Sequence, residues 1–275
     1  MRGPLRGRLR RAALCGAFAI LVAAAGWSPP ARAFNAQHVA QLKATKTCER
    51  CDLSGAQLES ADLAGARLAG ADLSGAMLRN ANLVGATLVK ANLRSADLTE
   101  ANLERAALQE AELGSALLLR ANLVGANLSG AGLSYADLRF AVLREAVLAE
   151  ADLTAAKLVQ AFLVKADLTG ALLTDADLTA ATARDAKFYR ARMHRATLFR
   201  AELSGADLRK AELADADLRE ADLRSVDLVG ADLSRARIGG ADLKNACICN
   251  TIMPDGRTEV SGCRSCEQKP APGSD

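Results

Sequence analysis

The stretch Cys51-Asp52-Leu53-Ser54-Gly55, Ala56-Gln57-Leu58-Glu59-Ser60, Ala61-Asp62-Leu63-Ala64-Gly65 decides the fold, because its frame continues without insertion to Ala246-Cys247-Ile248-Cys249-Asn250. Over 40 pentapeptides the first residue is Ala everywhere except Cys51 and Val226. The third is Leu except at Ala183, Phe188, Met193, Ile238 and Ile248. Two strict positions beside three free ones separate an inside from an outside.

Composition alone favours helix, since Ala, Leu, Glu and Arg are good helix formers. Periodicity overrules it. A five-residue step advances an α-helix by about 500°, so successive leucines spiral around it by ~140° and form no stripe. A straight strand fails as well, because an odd period sends alternate leucines to opposite faces. The chain must therefore turn once per repeat. The second position is often Asp or Asn (Asp52, Asp62, Asp72, Asn82, Asn92, Asn102). Short polar side chains of this kind bond neighbouring backbone and suit such turns.

These residues resemble the pentapeptide-repeat family, whose consensus is Ala-Asp/Asn-Leu-x-x. The resemblance implies an all-β, right-handed quadrilateral β-helix of about ten coils, with one pentapeptide per side and 20 residues per coil. Ala and the central Leu point inward and the other three positions outward. At the usual strand spacing the repeats would span roughly 48 Å. Residues 34–50 read as an N-terminal cap with a short helix, Asn35 serving as N-cap ahead of Ala36 to about Ala44, and Phe34 and Val39 in staple positions. Pro254-Asp255-Gly256 is a turn signal that folds the C-terminal cap, 251–275, back over the last coil. Glu267–Asp275 reads as a disordered end.

Residues 1–33 read as a secretory signal peptide. Five arginines precede an apolar stretch from Ala12 to Ala25, and Ala31-Arg32-Ala33 forms a small-x-small site with cleavage expected after Ala33. The apolar stretch falls short of the ~20 residues that span a bilayer, so membrane contact is expected through the signal peptide alone. The expected location is periplasmic or extracellular. Removing the six arginines of this segment, which holds no acid, turns 35 basic and 32 acidic residues into 29 and 32. A near-neutral mature chain gives no support to nucleic-acid binding.

Six cysteines remain after cleavage: Cys48, Cys51, Cys247, Cys249, Cys263 and Cys266. An even number in an exported chain favours disulfides. The repeat frame places Cys48 and Cys51 inward, free to bond each other or to pack as small hydrophobes. Cys247 and Cys249 fall on outward positions, within reach of Cys263 and Cys266 if the tail returns. The alternative is four thiolates on zinc from Cys247, Cys249, Cys263 and Cys266, or a redox role for that cap. Neither Cys-x-x-Cys is followed by His, so c-type haem attachment lacks its motif. No cofactor is expected.

With only His38 and His194, no base, nucleophile and orienting residue converge, so the chain reads as a non-enzyme. Two surface regions depart from the background. Arg184, Lys187, Arg190, Arg192, Arg195 and Arg200 stand against the single acid Asp185, with Tyr189, His194 and Phe199 among them. Such a basic, aromatic band suits an anionic envelope component or an acidic protein. Val142 and Phe162, 20 residues apart, would stack on one face near Phe140 and suit a partner or homodimer contact. The resulting expectation is an exported scaffold that binds through its side faces. Some relatives mimic DNA and occupy type II topoisomerases; that alternative needs an acidic, cytoplasmic chain.

Overall fold

The computed structural model describes residues 35–260 and Cys263. The expected signal peptide, Phe34, Cys266 and the C-terminal tail lie outside the described residues. From Thr47 to Ile252 each second-position residue forms a parallel bridge with the residue 20 positions on, so four pentapeptides make one coil of a β-helix.

Backbone hydrogen bonding in a single repeat explains the consensus. In Ala81–Gly85, the Ala81 N–H closes a turn onto the Leu78 carbonyl (3.0 Å), and the Asn82 N–H donates to Ala61 of the coil before (2.9 Å). The Leu83 and Gly85 N–H groups donate to Asn102 (2.7 Å) and Glu104 (2.8 Å) of the coil after. One donor is left, the N–H of Val84, and it is accepted by Oδ1 of Asn82 (3.3 Å). The same bond recurs at Asp52, Asp72, Asp97, Asn127 and Asp232. Asp or Asn at the second position therefore satisfies the one backbone donor that stacking leaves over.

Every fifth-position residue from Arg50 to Asn250 has positive φ, between 53° and 76°. Placed second of the two central residues, it gives the type II-like turn that carries the chain around each corner. Most of these residues are not glycine, so the stack holds many L-residues in a region that costs each about 1–2 kcal/mol.

The bore is filled. Third-position side chains from Leu53 to Leu233 are no more than 2% exposed. Full burial of each Leu is worth roughly 1.5–3 kcal/mol, which is the term that offsets the corners. The departures from Leu compensate one another: Ala183 directly precedes Phe188 in the same coil, a small residue beside a large one, and both are buried. The local backbone registers the change. The turn bond from Ala186 N–H to the Ala183 carbonyl is 3.3 Å, as is the one made by Val226, the bulky residue in an Ala position; the others are 2.9–3.1 Å.

Helix α1 (Ala36–Thr45) closes the N-terminal end, with Asn35 Oδ1 accepting from the Gln37 and His38 N–H groups. Its buried Val39 and Leu42 join the core cluster. His38 Nδ1 accepts the Asp52 N–H at 3.0 Å and ties the helix to the first coil. At the other end, strands β1 (Thr251–Ile252) and β2 (Thr258–Glu259) form an antiparallel hairpin around Pro254-Asp255-Gly256. The hairpin is anchored by buried Thr251, whose hydroxyl donates to the Leu228 carbonyl at 2.7 Å. No helix among the described residues is long and apolar enough to cross a membrane.

Candidate binding surface

Cys48 and Cys51 are joined by a disulfide inside the N-terminal entrance, with Cys48 fully buried. Cys249 is joined to Cys263. That bond removes two of the four thiolates on which the zinc alternative depends, and no group of three or more metal-ligating side chains occurs among the described residues. Cys247 and Cys249 are buried, where the repeat frame alone expects them to face solvent. Cys249 is held at this end by its bond to Cys263.

The basic band changes character in three dimensions. Its linear neighbours are basic, but its neighbours in the stack are 18 to 20 residues away and acidic. Arg184 meets Glu202 (2.6 Å), Arg195 meets Asp175 (2.6 Å) and Arg200 meets Glu220 (2.6 Å). Arg192 and His194 share Glu212, at 3.5 and 2.7 Å, and Lys187 lies 3.8 Å from Asp167. Arg190 lies over the half-buried Tyr189 ring at 5.1 Å, and Arg200 over Phe199 at 4.9 Å. The structure brings the expected residues together and pairs most of their charge.

Beyond the band the second position is acidic seven times running, from Glu202 to Asp232, and three of these carboxylates are paired within their own repeat. Asp207, Asp217 and Asp222 each receive two side-chain bonds, at 2.6–2.8 Å, from the Arg two residues on. The same carboxylates also accept that Arg's backbone N–H. These bonds hold Asp217 and Asp222 below the usual carboxylate range against the opposing effect of burial. A groove of about 400 Å³ lies between Arg184, Gly205, Arg224 and Lys244, and it is open and charge-lined.

Exposed hydrophobics such as Met77 and Leu117 stand singly, but at one place such residues cluster. Val142 bridges Phe162 on a single face of the coil, and Phe140 precedes Val142 at the adjoining corner. Phe162 is 47% exposed and Phe140 37%, with Arg120 lying 5.7 Å above the Phe140 ring. Val142 and Phe162 occupy second positions, so neither has an oxygen to offer the N–H two residues on. An apolar residue there gives up a backbone hydrogen bond and exposes a hydrocarbon, two losses at one site. Local rules broken without a folding gain mark functional positions.

A family profile described as Pentapeptide repeats matches this sequence in eight copies between residues 51 and 253. The chain belongs to the pentapeptide-repeat family. Among solved structures it is similar to HetL, a pentapeptide repeat protein involved in heterocyst differentiation regulation from the cyanobacterium Nostoc sp. strain PCC 7120. The match is 34% identical, covers 82% of this chain and 100% of HetL, and has a TM-score of 0.43. A pentapeptide repeat protein from the Arabidopsis thaliana thylakoid lumen is 33% identical over 32% of this chain and 62% of its own, with a TM-score of 0.32. QnrB1, a plasmid-mediated fluoroquinolone resistance protein, is 18% identical over 64% of this chain and 84% of its own, with a TM-score of 0.46. No curated protein matches the sequence.

Proposed function

We propose that this chain is an exported, non-catalytic scaffold that binds a partner through a side face of its β-helix. The observation that carries the reading is that Val142 and Phe162 adjoin on one face beside Phe140, on a surface whose charges are largely paired. The exposed second-position hydrophobes Met77 and Leu117, by contrast, each sit singly between polar neighbours. A contiguous exposed apolar surface on a rigid frame is what a protein-binding site requires. The Arg184–Arg200 band borders this reading as a second candidate surface, open chiefly through Arg190. The DNA-mimic alternative gains little from the acidic run, because Asp207, Asp217 and Asp222 are each clamped by arginine.

The reading is tested by placing a photoreactive phenylalanine analogue at position 162 in living cells, with the same analogue at position 82 on the polar part of the same face. Adducts at 162 and none at 82, in the envelope or extracellular fraction, support it. Absence of adducts at 162, equal adducts at both sites, or an uncleaved cytosolic chain would sink it.

A further inference from the structure

We propose that the Val142–Phe162 face docks a second copy of this chain, with the two stacks antiparallel. The inference rests on the scaffold reading above and names the partner for that surface.

The argument starts from the charge along this one face. Preceding Val142, its second positions are Asp62, which is paired with Lys46, and the neutral Asn82, Asn102 and Asn122; beyond Thr182 they are Glu202, Asp222 and Asp242. A parallel pair of stacks would set each of those three acids against its own copy, and like charges directly opposed are destabilising. An antiparallel pair, with its two-fold axis between Val142 and Phe162, sets Glu202 opposite Asn102 and Asp222 opposite Asn82. It leaves acid against acid only where Asp242 meets Asp62, whose charge Lys46 already pairs. Thr182 then meets Asn122, a neutral pair.

The centre fits itself under the same operation, as a two-fold interface must: each residue that meets another is met by it in turn. Phe162 of one copy lies over Val142 of the other, a protruding ring against a half-buried, smaller side chain. At the adjoining corner, Glu145 of one copy faces Lys165 of the other, twice over. Glu145 and Lys165 are both exposed, and neither takes part in an ion pair among the described residues, in contrast to the paired charges around them. Arg144 and Asp185 are likewise exposed and without an ion pair among the described residues, but Glu145 and Lys165 are the opposite charges that the two-fold brings face to face.

The test is analytical ultracentrifugation of the purified chain from roughly 1 μM to 1 mM. A reversible dimer is expected. Phe162→Asp is expected to raise its Kd about tenfold or more, as loss of a central aromatic anchor does. Because Asp is a common second-position residue that restores the backbone bond, this variant folds at least as well as the parent, which a melting curve checks. Glu145→Lys weakens the dimer, and adding Lys165→Glu restores it. A chain that stays monomeric throughout, a dimer indifferent to Phe162→Asp, or a charge swap that fails to restore would overturn the proposal. If the chain is monomeric and position 162 still crosslinks to a different protein, this inference fails while the scaffold role stands. Monomer with no crosslink defeats both.

Discussion

The coils from Asp52 to Asn102 and those from Glu202 to Arg237 share one backbone and one core yet finish their surfaces differently. In the first, five of the seven corners from Gly55 to Gly85 are glycine, and side-chain amides link coil to coil: Asn82 donates to Asp62 at 3.0 Å and Asn92 to Asp72 at 2.9 Å. In the second, most corners are charged residues at positive φ, and arginines clamp aspartates within a repeat. Corner charges then pair across coils, as Arg235 does with Asp215 at 2.6 Å and Arg200 with Glu220 at 2.6 Å. The first region relieves backbone strain with glycine at many of its corners, and the second offsets it with ion pairs. The comparison teaches that the five-residue frame sets the coil while the free positions set how its stability responds to conditions.

The comparison holds only if the core beneath both regions is equivalent, and the Ala183–Phe188 layer between them is where that can be broken. Phe188→Ala is expected to cost about 3–5 kcal/mol, by the usual effect of emptying a buried aromatic site. Ala183→Leu is expected to cost about 1–3 kcal/mol through overpacking against Phe188. The double variant Ala183→Leu, Phe188→Leu returns both positions to the consensus and is expected to be more stable than the two single effects sum to. Denaturant titration measures all three. A repeat array loses cooperativity along its length, so hydrogen exchange locates the damage, which is expected nearest this layer. Additive effects would show that the two residues do not compensate.

The next effect separates the two regions. Asp217→Ala removes an acceptor for the Arg219 backbone N–H and for its guanidinium, with Arg237 a further neighbour at 3.5 Å. A loss of about 1–3 kcal/mol is expected, since charged hydrogen bonds are the stronger kind. Asn82→Ala removes one neutral bond, from the Val84 N–H, and one exposed bond to the Asp62 carboxylate, with no guanidinium pairing, and is expected to cost about 1 kcal/mol. Equal losses at the two sites would erase the distinction.

Acid sharpens the same contrast. Hydrogen bonds from Arg139, Arg219 and Arg224 hold Asp137, Asp217 and Asp222 below the usual carboxylate range. Between the depressed folded value and the ordinary ~3.9, the unfolded state binds more protons, so stability rises with pH. The contribution is fully present above about pH 4–5 and is lost as pH falls through the folded values. Exchange protection around residues 202–224 is therefore expected to fall in acid before that of residues 82–102, which lie beyond Asp62, a carboxylate itself held low by Lys46. High salt is expected to act in the same direction but less, because the clamped aspartates are partly buried. Protection that declines uniformly along the chain would contradict the assignment.

Much of this was legible in the sequence because the frame is strict: the coil, the inward Ala and Leu, and the Val142–Phe162 stack all follow from counting in fives and twenties. The meaning of the Asp and Asn residues was only half legible. A turn preference is visible in the chain, but the identity of the leftover N–H appears only once every donor in the coil has been assigned. The Arg184–Arg200 band misleads for a related reason, since its partners Asp175, Glu202, Glu212 and Glu220 are distant in the chain and adjacent in the stack. The choice of Cys263 as the partner of Cys249 depends on where the C-terminal segment returns, which no repeat period encodes.

The smallest effect tests the corners themselves. Ala155 holds φ at 55°, a region an L-residue enters at a cost of about 1–2 kcal/mol, and Gly enters freely. Glycine's greater freedom in the unfolded chain takes back roughly 0.5–1 kcal/mol, so Ala155→Gly is expected to stabilise by less than ~1 kcal/mol. Gly65 supplies the reverse case: φ is 67°, and an added Cβ meets nothing within 4 Å, so Gly65→Ala isolates the conformational term and is expected to lose about the same amount. At Gly205 a Cβ would also press on the Asp185 carboxylate, so Gly205→Ala is expected to lose more than Gly65→Ala. Melting curves of the three variants order them. If Ala155→Gly fails to stabilise, the charged corners of the C-terminal coils carry no strain for their ion pairs to offset, and the difference between the two regions reduces to electrostatics alone.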